Sequence, residues 1–105
     1  MSPPDQSRPV HVVQLTDAHL FADPAGSMLG LKTRDSLRHV VAQVRREQPL
    51  VDLLLCTGDL SQDGSLESYQ QFRQLSAHLA APARWIPGNH DEPMVMEQAA
   101  TQSSL

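Results

Sequence analysis

Apolar positions along the chain fall into compact runs separated by longer periodic blocks. Val10 to Leu15 is a β-branched apolar run and reads as a buried strand. A polar stretch containing Gly and Pro, from Thr16 to about Leu31, reads as a loop. Leu37, Val40, Val41 and Val44 then recur at i, i+3, i+4 and i+7, one stripe of a helix. Thr33 or Asp35 is expected to cap its start and Pro49 to close it. Val51 to Cys56 is almost continuously apolar, as expected of a strand covered on both faces. Its short length and flanking turn residues favour strand over buried helix. After the Asp63-Gly64 turn a second helix is expected from about Ser65, with Leu66, Tyr69, Phe72, Leu75 and Leu79 at roughly helical spacing. Trp85-Ile86 forms a short third strand between Pro82 and Pro87-Gly88. Pro93 suits the first turn of a third helix, Met94 to about Ala100.

Strand followed by helix, three times over, predicts an α/β fold with a parallel sheet and right-handed crossovers. Residues 1–9 hold three prolines and read as a loose leader, which leaves 10–105 as the folded unit.

Composition narrows the function classes. With 105 residues the chain has room for one small domain. Hydrophobic residues at 40% and charged residues at 19% suit a globular fold. A formal charge of −4 argues against a nucleic-acid surface built on bulk positive charge. No apolar run approaches the ~18–20 residues needed to span a bilayer, so no membrane partner is expected. A single cysteine, Cys56, has no internal partner and suits a reducing, cytoplasmic setting.

Metal-type residues fall where the strands end. Asp17-Ala18-His19 follows the first strand, Gly58-Asp59 the second, and Gly88-Asn89-His90-Asp91 the third. In open parallel sheets ligands bind beyond the carboxyl ends of the strands, so the three motifs should converge on one edge. In extended chain Asp17 and His19 point the same way and can grip one ion through oxygen and nitrogen, a mix suited to Mn, Fe or Zn. Asp59 can use both oxygens to bridge two cations. Asn89, the only asparagine, offers a neutral oxygen ligand, while His90 beside it can face a substrate and Asp91 can hold that imidazole in a useful tautomer. Taken singly, the first motif also fits a capping Asp beside a surface His. The second also fits a turn Asp that caps a helix, and the third an ordinary Gly-Asn turn.

Together, in this order, the three motifs resemble the calcineurin-like metallophosphoesterase family, whose opening signatures are Asp-x-His, Gly-Asp and Gly-Asn-His-Asp or Gly-Asn-His-Glu. The resemblance runs from Val10 to about Asp91. The stretches QLTDAHLFADP, LLLCTGDLSQDGSLESYQQF and RWIPGNHD look most like the bacterial cyclic AMP phosphodiesterases. It implies half of an α/β sandwich that carries two divalent cations, with Fe and Mn favoured and Zn a further candidate. It implies a cyclic nucleotide, above all cyclic AMP, or another phosphodiester as substrate. Residue by residue, it implies Asp17 and His19 on the first metal, Asp59 bridging both, and Asn89 on the second. His90 would contact the phosphate and protonate the leaving oxygen, and His19, Asp59, Asn89 and His90 would line the phosphate site.

Members of that family carry later histidine ligands, including a Gly-His-x-His motif, and this sequence contains none. His11, His39 and His78 lack the spacing and are expected at the surface or half-buried. The expectation is an incomplete domain that needs a carboxyl-terminal half or a second chain to complete its site. By itself the chain is expected to be inactive, a fragment that binds metal or a partner chain.

Overall fold

The computed structural model describes residues 9–48 and 50–101. Three strands, β1 (Val12–Leu15), β4 (Leu53–Thr57) and β5 (Ala83–Ile86), form a parallel sheet in the order β1-β4-β5. Helices α1 (Thr33–Glu47), α2 (Leu66–Ser76) and α3 (Pro93–Thr101) follow the three strands in turn. A two-stranded antiparallel ribbon, β2 (Ser27–Met28) and β3 (Leu31–Lys32), interrupts the stretch expected to be loop. Its turn uses Leu29 and Gly30, both at positive φ, as a tight hairpin twist requires.

Register decides which side chains reach the core. Val13 and Leu15 lie level with Leu54 and Cys56, which in turn lie level with Ala83 and Trp85. These residues face the helices, and Leu54 and Cys56 are fully buried. Leu53, Leu55 and Thr57 on the opposite face are half-buried, and Val12 and Ile86 remain 50% and 53% exposed. The expectation of a strand covered on both faces is therefore corrected: an all-leucine run hides the alternation that the pleat imposes.

On the covered face Leu37 and Val41 of α1 meet Phe72 and Leu75 of α2 and Met96 and Ala99 of α3 in one cluster. The Phe72 ring meets Trp85 edge-on with centroids 5.3 Å apart, which locks α2 onto β5. Burying that phenylalanine contributes about 2–3 kcal/mol. Helix α2 starts as expected, with the Ser65 hydroxyl accepting from the Ser68 amide. Helix α1 does not. Its N-cap is Lys32 with no side-chain bond, Thr33 is already buried in the first turn, and Asp35 pairs with Arg38 at 2.9 Å. The chain enters α1 directly from β3, so no free cap position exists. Pro49, the expected terminator, and residues 1–8 of the expected leader lie outside the described residues. No helix of the described residues is long and apolar enough to cross a membrane.

Candidate metal centre

All three strands are parallel, so their carboxyl ends open on one edge, and the three loops that follow are laced together there. The Asp17 amide donates to Gly58 O (3.0 Å), the His19 amide to Asp59 O (2.9 Å) and the Leu20 amide to Leu60 O (3.0 Å). The Gly58 amide donates to Ile86 O (2.7 Å), tying the second loop to the end of β5. Gly88 lies so close that a Cβ there would stand 2.4 Å from Asp59 N and 2.6 Å from Asp59 Oδ1. Only glycine permits that approach. The His90 amide then donates to Asp59 Oδ1 at 2.9 Å.

Within this lacing, ligand atoms of Asp17, His19 and Asp59 lie within 4.8 Å of one another. The convergence expected for Asp17 and His19 holds, but the reason differs. Neither residue is extended: φ is 58° at Asp17 and 49° at His19, and Asp59 has φ 51°. Left-handed backbone at all three positions, rather than pleat alternation, accompanies the approach of the side chains to one another. Asp17 Oδ1 stands 3.5 Å from His19 Nε2. That is long for a hydrogen bond, yet close to the ligand–ligand edge about a cation with arms of ~2.1 Å. Among the described residues no Lys or Arg forms an ion pair with Asp17 or Asp59. Two carboxylates beside one imidazole, uncompensated by a basic side chain, fit a divalent cation. The Thr16 hydroxyl lies 2.8 Å from Asp17 Oδ2 and also reaches Thr57 O, which steadies the first carboxylate.

The third loop brings His90 to the same edge. Its exposed ring stands edge-on to that of His19, centroids 5.8 Å apart, and Asn89 is exposed on the same turn. His11 is half-buried at the start of β1, and His39 and His78 are exposed on the helical layer.

Asp91 departs from expectation. It is 6% exposed, and its carboxylate faces inward. Oδ1 accepts from the Ser61 amide (3.0 Å) and the Tyr69 hydroxyl (2.9 Å); Oδ2 accepts from the Gly88 amide (2.7 Å) and the Leu60 amide (3.3 Å). Four donors fill the four lone-pair sites of a carboxylate. Its role as the orienter of the His90 ring is thus replaced by another: it clamps the second and third loops together over α2. Burial pushes the Tyr69 hydroxyl far above its ordinary pKa, opposed by the Glu92 amide and reinforced by the Asp91 charge, so it remains a donor.

Two further contributors escaped the sequence reading. Gln62 places Oε1 2.8 Å from His19 Nδ1. Asp63 accepts from the Ala22 amide (2.9 Å) and from the Ser65 amide and hydroxyl (3.1 and 2.7 Å), fixing the second loop to the first and to the start of α2. Spacing after Gly58-Asp59 was the only available signal for either.

The calcineurin-like phosphoesterase profile matches residues 10–103. The chain belongs to that family. Membership implies divalent metal ions, and the Asp17, His19 and Asp59 group is where this chain can hold one. It is 57% identical over 96 residues to the 3',5'-cyclic adenosine monophosphate phosphodiesterase CpdA of Pseudomonas aeruginosa, covering 91% of this chain and 35% of that protein. The Escherichia coli K12 protein of the same name is 40% identical over 96 residues, with the same coverage. A 3',5'-cyclic-nucleotide phosphodiesterase of a Nostoc species is 36% identical over 94 residues, covering 90% of this chain and 35% of that relative. The chain therefore spans about a third of the length of these curated relatives.

Proposed function

We propose that this chain carries the first part of the two-metal site of a cytoplasmic phosphodiesterase that hydrolyses 3',5'-cyclic AMP to 5'-AMP. The observation that carries the reading is the meeting of Asp17, His19 and Asp59 within 4.8 Å at the sheet edge. The names of the relatives above support the substrate. When bound, two divalent ions, Fe or Mn by preference, supply positive charge to the phosphate and make water a nucleophile near neutral pH.

The chain's own residues do the rest. Asp17 and His19 would hold the first ion. Asp59 would be shared by both, since the His90 amide takes one lone pair of its carboxylate and leaves the rest of its acceptor capacity. Asn89 offers a neutral oxygen to the second ion without adding charge against an anionic substrate. Water attacks phosphorus in line and releases a proton to bulk solvent, the bond to the 3' oxygen breaks, and His90 delivers the proton that oxygen needs to leave.

The test is the intact protein loaded with Mn and assayed on cyclic AMP beside Asp59→Ala. Loss of turnover with folding retained is expected; near-normal turnover in Asp59→Ala would end the two-metal reading. A second reading for these 105 residues by themselves rests on the donor count. Asp17, His19 and Asp59 serve one ion, but only Asp59 and Asn89 serve the other. Alone, the chain then binds at most one tight metal and turns over cyclic AMP at background rate, and robust turnover that Asp59→Ala abolishes would overturn that.

A further inference from the structure

His19 is the one imidazole of the trio, and which of its nitrogens offers a lone pair depends on its tautomer. A neutral imidazole carries one N–H and one lone pair, and only the lone pair can bind a cation. Nδ1 lies 2.8 Å from Oε1 of Gln62, while Nε2 faces Asp17. An amide oxygen can only accept, so this contact keeps the proton on Nδ1 and leaves the Nε2 lone pair toward Asp17 and Asp59. Gln62 is held in place for this. Its backbone N–H donates to Leu20 O at 2.7 Å, and neighbouring Ser61 bridges to Leu20, the residue after His19. Backbone bonds thus fix both ends of the contact.

We propose that Gln62 is the positioning residue of the centre: it selects the His19 tautomer that presents Nε2 as a ligand. The inference rests on reading Asp17, His19 and Asp59 as a cation site. It adds a sign to that reading. A carboxylate partner raises the basicity of a metal-bound imidazole, whereas an amide does so less. Gln62 therefore holds His19 as a weaker ligand than a glutamate would.

The experiment measures Mn binding by titration calorimetry on the intact wild-type protein and on Gln62→Met, Gln62→Glu and His19→Ala. Thermal unfolding is followed alongside. Gln62→Met keeps the shape without the acceptor and is expected to weaken binding about 10–100-fold with unfolding unchanged. Gln62→Glu keeps the acceptor and is expected to bind at least as tightly as wild type. Long-range proton–nitrogen NMR on the metal-free protein should show His19 with its proton on Nδ1 in wild type and shifted toward Nε2 in Gln62→Met. Wild-type affinity in Gln62→Met, or an Nε2–H ring in wild type, would overturn the assignment. If His19→Ala loses binding while Gln62→Met does not, only the role of Gln62 falls. If His19→Ala also binds normally, the cation site falls with it.

Discussion

Replacing Asp91 with asparagine separates a clamp from a catalytic orienter. The buried carboxylate accepts two bonds on each oxygen, and the amide must turn one oxygen into a donor. With nitrogen at the Oδ2 position, the Leu60 and Gly88 amides both lose their acceptor. With nitrogen at the Oδ1 position, the Ser61 amide loses its acceptor, and so does the proton of the Tyr69 hydroxyl, whose oxygen already accepts from the Glu92 amide. Two donors are orphaned either way. Each orphaned buried donor costs about 1–3 kcal/mol, so the total comes to about 2–6 kcal/mol. For a urea slope of about 2 kcal/mol/M, the unfolding midpoint should fall by about 1–3 M. Urea unfolding followed by Trp85 fluorescence reads this directly, since Tyr69 packs against that indole with ring centroids 6.3 Å apart. A midpoint within about 0.3 M of wild type, together with a large loss of turnover, would refute the clamp and restore Asp91 as the orienter of His90.

His90→Asn should slow cyclic AMP hydrolysis by about 10²–10⁴-fold with bound metal unchanged, and should slow a nitrophenyl phosphodiester less, because a good leaving group needs no proton. Metal analysis beside both assays checks this, and equal losses accompanied by lost metal would make His90 a ligand. Cys56 is fully buried, and desolvation pushes its thiol up to about 12. Its labelling by a thiol reagent should be at least ~10³-fold slower in the native protein than in urea, so fast native labelling would contradict the packed sheet. At Asp63, desolvation raises the carboxyl pKa, but the bonds from Ala22, Ser65 and Ser61 outweigh it and hold the group below its ordinary value. The unfolded chain then binds the proton first, so this contribution is present above the ordinary carboxyl pKa and is lost as pH falls through the folded one. Asp63→Asn should flatten the decline of unfolding midpoint between about pH 5 and pH 3.

Much of the fold could be read from local pattern because its elements are long enough to show a period. The Leu37, Val41 and Val44 stripe and the Ser65 start of α2 stand where expected, and the three parallel strands follow from the connections. Val40 fits the same spacing yet is 44% exposed, because it sits at the margin of the buried stripe. The β2–β3 ribbon could not be foreseen, since two residues per strand carry no alternation. The coming together of Asp17, His19 and Asp59 followed from strand ends alone. The left-handed turns that aim them did not, because nothing in an Asp or His letter records φ. Asp91 was misread for a related reason: adjacency to His90 in sequence says nothing about which way a carboxylate leaves a tight turn.

The positive φ of Asp17, His19 and Asp59 has a bearing on how such a chain can be altered. Each left-handed backbone costs about 1 kcal/mol relative to a residue without Cβ. Glycine at positions 17, 19 or 59 would relieve that cost and remove a ligand in the same step. A library of this chain selected only for expression or heat resistance would therefore be drawn toward glycine at these sites. It would yield sturdier proteins in which the metal centre had been erased, and any such selection has to score bound metal alongside survival.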